Sequence, residues 1–222
     1  MRFQSIAIFL CLVAPILREI NFIFTYMEAT DLILNNISGY ISLDEKDKAF
    51  FISLLKPMKL KRRQMLLKEG GICRFSSFVT QGCLRGFSVD DNGFEHVLNF
   101  APQNWWIADM YSLITQKSGV LNIEALEDTE ILTLSKVHQE ELYVKIPVFE
   151  RFFRIITENS LVTYQQRLLD NLSLTAVERY NNFCKKYPTL ITCLPSKQIA
   201  AYIGVTPEFF SKMRHNMVKK RS

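Results

Sequence analysis

A chain of 222 residues with 27 basic and 22 acidic side chains carries a formal charge of +5. That length can bury a full core and suits one large or two modest domains. So mild an excess of positive charge permits a nucleic-acid partner without requiring one, and local clustering matters more than the sum. The five cysteines, at positions 11, 73, 83, 184 and 193, are odd in number and contain no CxxC pair, which points to reduced thiols in a cytoplasmic protein. The three histidines, His96, His138 and His215, fall in three separate segments without metal or triad spacing. No glycine loop cradles a phosphate, because Gly70-Gly71 reads as a turn, so an enzyme is not expected and no metal site is predicted.

Residues 6–17 (IAIFLCLVAPIL) follow Arg2 and have the character of a signal-peptide core. The wider run 3–26 is broken by Pro15, Arg18, Glu19 and Asn21, and a spanning helix needs about 20 mostly apolar residues. An export signal without a small-residue cleavage site, a membrane anchor, and an extension upstream of a start at Met27 are the three readings. The third is preferred, so 1–26 is expected to be non-native or disordered, with no membrane contact unless that segment is real.

Further along, Ser42 and Glu45 form a capping box ahead of Phe50, Phe51, Leu54 and Leu55, predicting a helix over 43–55 that Pro57 ends. Strands are predicted at 58–60, 64–67, 75–80, 84–89 and 94–100, with Asp90-Asp91-Asn92-Gly93 as a hairpin turn. Asp109 caps a short helix over 109–116, and strands at 121–126 and 131–134 complete an antiparallel roll or sandwich. Pro147 opens a long helix over 148–171, apolar nearly all round at its start and interrupted by Asn159, Ser160 and Thr163, which can fix a register or meet a ligand. Thr175 and Glu178 form a second capping box for a helix to Lys186, and 189–193 is a β-branched run with strand character.

The last segment, LPSKQIAAYIGVTPEFFSKMR over 194–214, reads as two short helices. Ser196 is placed to cap the first, Gly204 breaks it, and Thr206-Pro207 starts the second. Phe209, Phe210, Met213 and Met217 form the expected buried stripe of that second helix. The pattern alone does not separate a helix-turn-helix from an ordinary αα-hairpin.

QIAAYIGVTPEFFSKMR resembles the recognition segment of the Crp/Fnr family of bacterial transcription regulators, in which a Glu-x-x-Ser-(Arg/Lys) set faces base edges. Glu208, Ser211 and Lys212 match it, and Pro207 occupies a slot that often contacts bases in the family. Upstream, Lys68-Glu69-Gly70 and Gly82-x-Leu84-Arg85 resemble the family's cyclic-nucleotide-binding roll over 43–135. The resemblance begins at Met27. It implies an α+β protein with four parts. Residues 27–146 form an antiparallel β-roll sensor domain of the cyclic-nucleotide-binding kind, and 147–171 a long dimerisation helix. Residues 172–222 form a winged-helix-like helix-turn-helix domain, whose wing is truncated at Ser222, and 1–26 remain an extension.

The resemblance further implies a homodimer on a roughly palindromic operator in double-stranded DNA, with RNA polymerase as a further partner. Ser196, Thr206, Glu208, Ser211, Lys212, Arg214, His215, Lys219 and Lys220 are the implied DNA-binding residues. Where the family's cassette opens with Gly-Glu and ends with an arginine, this chain has Ala108-Asp109 and, counting without gaps, Gly119 followed by Val120. With Met110, Lys117 and Tyr164, these residues outline a degenerate ligand pocket. Without the arginine a cyclic phosphate loses a contact worth about 1.5–3 kcal/mol, so cyclic AMP binding is not expected. Phe100, Trp105, Trp106, Met110 and Tyr111 are expected to line or plug the pocket, leaving either no effector or a different small ligand. The cysteine-ligated cluster of some members has no ligand set here, and haem is left open. The alternative class is a ligand-binding or protein-interaction module with a vestigial helix-turn-helix.

Overall fold

The computed structural model describes residues 24–219; the run 6–17, Lys220 and Arg221 lie outside the described residues. Residues 24–38 are helical (α1), so residues 24–26, assigned from sequence to an extension, belong to a helix. Tyr26 packs there against the same core as Ala29, Ile33 and Ile37. Among the described residues no helix is long and apolar enough to cross a membrane.

Helix α2 (Glu45–Leu54) is capped by Asp44, not by Ser42: the Asp44 carboxylate accepts the Asp47 amide at 2.8 Å. An acid at that position also meets the positive end of the helix dipole. The chain passes directly into β1 (Leu55–Leu60), so Pro57, expected to end the helix, lies inside a strand. An edge position makes that possible, since β1 pairs only with β8 and a proline there forfeits no second ladder.

The remaining strands are β2 (Met65–Leu67), β3 (Phe75–Gln81), β4 (Cys83–Val89), β5 (Glu95–Pro102), β6 (Trp106–Ile107), β7 (Asn122–Ala125) and β8 (Thr129–Ser135). They form two antiparallel sheets, ordered β1-β8-β3-β6 and β2-β7-β4-β5. The β4–β5 hairpin turns at 90–94 as predicted, although only Gly93 takes positive φ (+79°) while Asn92 does not. Between β3 and β4, Gly82 has φ +83°, and a Cβ there would lie 2.6 Å from Thr129 Oγ1.

Period-two alternation sorts the apolar side chains into three layers. Between the sheets lie Leu60, Val79, Leu84, Ala101, Ile107, Ile123, Ala125 and Ile131. Outside the first sheet, Phe78, Leu132 and Leu134 pack against α1, α2 and two later helices, α4 (Lys136–Lys145) and α5 (Val148–Ser173). Outside the second sheet, Cys83, Phe87, Val97 and Phe100 pack against α6 (Ala176–Lys186), α7 (Ser196–Ile203) and α8 (Pro207–Lys219). Helix α3 (Met110–Thr115) bridges β6 and β7.

Helix α4 was not expected from sequence. Ser135 caps it by accepting the His138 amide at 3.1 Å. The Thr175–Glu178 capping box of α6 is present as predicted. The run 189–193, given strand character above, is a series of turns that buries Leu190 against α6 and α7. Its β-branched residues join neither sheet, and tertiary packing overrides propensity.

The roll meets α5 through Phe149, Phe152 and Phe153, the first two fully buried. Phe152 contacts the rings of Tyr40, Trp106, Phe149 and Phe153. Phe152→Ala is expected to cost about 3–5 kcal/mol of stability, seen as a lowered midpoint of urea denaturation with little change in slope.

Candidate nucleic-acid interface and effector site

Helix α7 ends at Gly204, whose φ of +71° supplies the left-handed cap that reverses the chain. Ser196, expected as its cap, is instead the first helical residue; the cap position is Pro195, and the Ser196 side chain is exposed. Thr206 caps α8 as predicted, its hydroxyl accepting the Phe209 amide at 3.2 Å. Phe210 and Met213 are buried and Met217 is half-buried. Phe209 departs from the expected stripe and is 53% exposed, because the turn of α8 that buries Phe210 carries its neighbour outward.

On the outer side of α8 the structure brings together Glu208, Ser211, Lys212, His215 and Lys219, all exposed. Arg214 is also exposed, with its guanidinium 5.8 Å from the Phe210 ring. Ser211 donates to the Pro207 carbonyl at 2.9 Å, so its oxygen remains free to accept. Lys220 lies outside the described residues. Asn216, exposed on the same helix, was missed by sequence reasoning, which has no signal separating a solvated asparagine from a contacting one.

The helix pair is fixed to the roll by a buried guanidinium. Arg85 of β4 donates to Glu124 and Glu95, each at 2.7 Å, and to Gln198 of α7 at 2.7 Å, while its guanidinium lies 3.9 Å from the Phe87 ring. The bond from Arg85 holds the Glu95 carboxyl below its ordinary range. Around it, Phe100 of the roll touches the rings of Phe183, Tyr187 and Tyr202.

The degenerate pocket residues divide. Asp109 is buried and caps α3, with Oδ1 accepting the Ser112 amide at 3.0 Å and Oδ2 the Leu121 amide at 3.3 Å. Gly119 packs on that carboxylate: a Cβ there would collide with Asp109 Oδ2 and lie 3.1 Å from Ser112 Cβ. At the position where the resemblance calls for an arginine, a side chain would therefore have to displace the Asp109 carboxylate. Lys117 and Val120 are exposed, and Ala108 is half-buried.

A second space lies beside this closed cassette. A groove of about 510 Å³ runs between α3, α4 and α5, walled by Ala108, Trp106, Met110, Leu113, Phe153 and Ile156. Tyr164 reaches its rim, its hydroxyl accepting from Asn99 Nδ2 at 3.2 Å. Burial pushes the Tyr164 phenol above its ordinary value. Of the aromatic set expected at the pocket, Trp106 and Met110 line this groove, Phe100 belongs to the helix-turn-helix contact, and Tyr111 is exposed. The groove escaped sequence reading because one wall is α4. Among the described residues, no group of three or more His, Cys, Asp or Glu is arranged to hold a metal ion.

No protein-family model and no curated protein matches this sequence. Solved structures do match. FixK2 from Bradyrhizobium japonicum superposes with a TM-score of 0.66 at 17% identity, over 75% of this chain and 85% of its own. The c-di-GMP responsive global regulator CLP of Xanthomonas campestris gives 0.63 at 12% identity, over 80% of this chain and 93% of its own. A regulator from Eubacterium rectale assigned to the crp/fnr family gives 0.63 at 15% identity, over 80% and 85%. The chain has the fold of the Crp/Fnr regulators: a cyclic-nucleotide-binding-like roll, a long helix and a helix-turn-helix.

The packing of Gly119 on Asp109 makes a coupled prediction. Gly119→Ala is expected to destabilise by about 1–3 kcal/mol as an overpacking change, and to cost much less in an Asp109→Ala background. A double-mutant cycle measured by denaturation should give a coupling of about 0.5–3 kcal/mol.

Proposed function

We propose that this protein is a sequence-specific DNA-binding transcription regulator that acts as a homodimer. The observation that carries the reading is the uncovered outer side of α8, where Glu208, Ser211 and Lys212 stand exposed on a helix whose other side is buried. Its dimensions suit the major groove. Glu208 suits a cytosine amino group and Lys212 the acceptors of guanine, with the Ser211 oxygen accepting beside them. Thr206 and the α8 N-terminus meet phosphate through their amides. Ser196, Arg214, His215, Lys219 and Lys220 grip the backbone, adding affinity that depends on salt rather than sequence.

The dimer is formed by α5. Its second half leaves Leu161, Val162, Leu168, Leu169 and Leu172 between 50% and 77% exposed, an apolar stripe too long to remain in water on an isolated protomer. A second copy of the same helix covers it across a two-fold axis. Two recognition helices related by that axis require a roughly palindromic operator with half-sites about one helical turn apart. RNA polymerase is the partner through which such a dimer acts, and a DNA target places the protein in the cytoplasm.

Cyclic AMP is not the effector on this reading, since Asp109 and Gly119 close the cassette without a cation. The groove beside Tyr164 is the place for an effector of another kind. The rival reading, a protein-interaction module, is favoured by one feature, the exposed Phe209 ring.

Selection from random duplex DNA separates the two. A palindromic motif is expected, with Lys212→Ala losing preference at one base pair of each half-site, worth about 1–3 kcal/mol. Lys219→Ala is expected to weaken all sequences alike and lower the salt slope by about 1. Leu161→Glu combined with Leu168→Glu should halve the mass measured by sedimentation and abolish enrichment of the palindrome. Micromolar binding of cyclic AMP in a calorimeter would overturn the effector statement.

A further inference from the structure

Where α5 passes between the roll and α6, two cations approach each other and neither forms an ion pair among the described residues. Arg167 of α5 donates to the carbonyl oxygens of Val97 and Leu98 on β5 and of Tyr202 on α7, and its guanidinium lies 4.0 Å from the Tyr202 ring centroid. All of these acceptors are neutral, so the bonds satisfy the donors and leave the charge uncancelled. Lys186, in the last turn of α6, has its ammonium 5.2 Å from the Tyr187 ring centroid and forms no hydrogen bond or ion pair among the described residues. Burial, and after it the charge of Arg167, bring the Lys186 ammonium down to about 8.

Both side chains line a groove of about 350 Å³ that contains no aspartate or glutamate. Its apolar wall is Trp105, Phe100 and Tyr40, and its polar wall includes Asn159 and Thr163, whose side chains make no hydrogen bond among the described residues. Those are two of the polar residues that interrupt the α5 stripe in the sequence. No residue of α3 reaches this groove, which separates it from the degenerate cassette. On its other side, the Asp170 carboxylate is engaged by the amides of Gln166 and Asn182, each at 2.9 Å.

We propose that this groove binds a small organic anion, its carboxylate or phosphate seated between Arg167 and Lys186 and its apolar body against Trp105. Two uncancelled cations in a half-buried groove repel each other, and an anion between them removes the repulsion while gaining charge-assisted hydrogen bonds from Lys186 and Thr163. The site spans β5, α5 and α6, so its occupant touches both the roll and the helix-turn-helix domain. Anion binding here does not depend on the DNA-binding reading, and either can fail alone.

Trp105 and Trp106 both line the groove, so intrinsic emission reports its occupation. The full chain is titrated with phenyl phosphate, benzoate and inorganic phosphate. A saturable emission change with phenyl phosphate or benzoate is expected, and whichever binds identifies the anionic group. Lys186→Gln, with an unchanged melting temperature, should weaken binding at least about tenfold, and Thr163→Val several-fold should Lys186→Gln fail to fold. Binding unchanged in both variants, binding of inorganic phosphate alone, or no saturable change with any of the three overturns the proposal. So does a Lys186 ammonium that titrates at the ordinary lysine value without added anion, seen by NMR of labelled lysine, since a carboxylate of a second copy would then already fill the site.

Discussion

The outer face of the β2-β7-β4-β5 sheet is apolar and has to be covered, and the helix-turn-helix domain is what covers it. Cys83, Phe87, Val97 and Phe100 form one buried cluster with Phe183, Tyr187, Tyr202 and Phe210. Every Å² of that contact removed from water is worth about 25 cal/mol, so the domain is docked and not merely tethered to the end of α5. Arg85 supplies the polar part of the seam, bonding two carboxylates of the roll and Gln198 of α7 from a nearly fully buried position. The direction in which α8 presents its exposed side chains is therefore set by the roll as well as by α5.

That docking bears on how a ligand in the roll would act on the exposed side of α8. A ligand shifts an equilibrium only by its differential affinity for the two states. Here the roll grips α7 through β5 and α5 grips both through Arg167, so a second arrangement of the helix-turn-helix has to break the aromatic seam, the Arg85–Gln198 bond and the Arg167 bond to the Tyr202 carbonyl together. A transition of that kind is discrete, because packed interfaces have alternative arrangements and do not deform continuously.

What was legible in the sequence was local. The Thr175–Glu178 box, the Thr206-Pro207 start, Gly204 and the cap at Asp109 each need only a few neighbouring residues, and each is present. What was not legible depended on the fold. Ser42 and Asp44 are both good caps, and only the folded chain shows that Asp44 takes the cap, through the Asp47 amide. Residues 189–193 have the composition of a strand but turn, burying Leu190 against α6 and α7. Helix α4 has charged residues along much of its length and only two buried ones, Gln139 and Leu142, so its period is faint. Phe209 and Phe210 are adjacent aromatics of which a helix can bury only one on a given side. Arg85 stood in a motif that matched the roll, yet its partner Gln198 lies 113 residues away, beyond any spacing argument.

The distribution of uncancelled charge follows from the same packing. In the cassette the position that the resemblance gives to an arginine is Gly119, and a carboxylate occupies the space a side chain would need. Asp109 is satisfied there by the amides of Ser112 and Leu121, so the closed cassette is stable without a ligand and repels an anion. Between α5 and the last turn of α6 the balance is reversed: Arg167 and Lys186 contribute two positive charges to a groove without a carboxylate. Moving an anion from water into the first place requires breaking two bonds to a buried acid. In the second, it relieves a repulsion the fold already contains. The electrostatics of this chain thus favour the groove between α5 and α6 over the roll interior as a place for an anion.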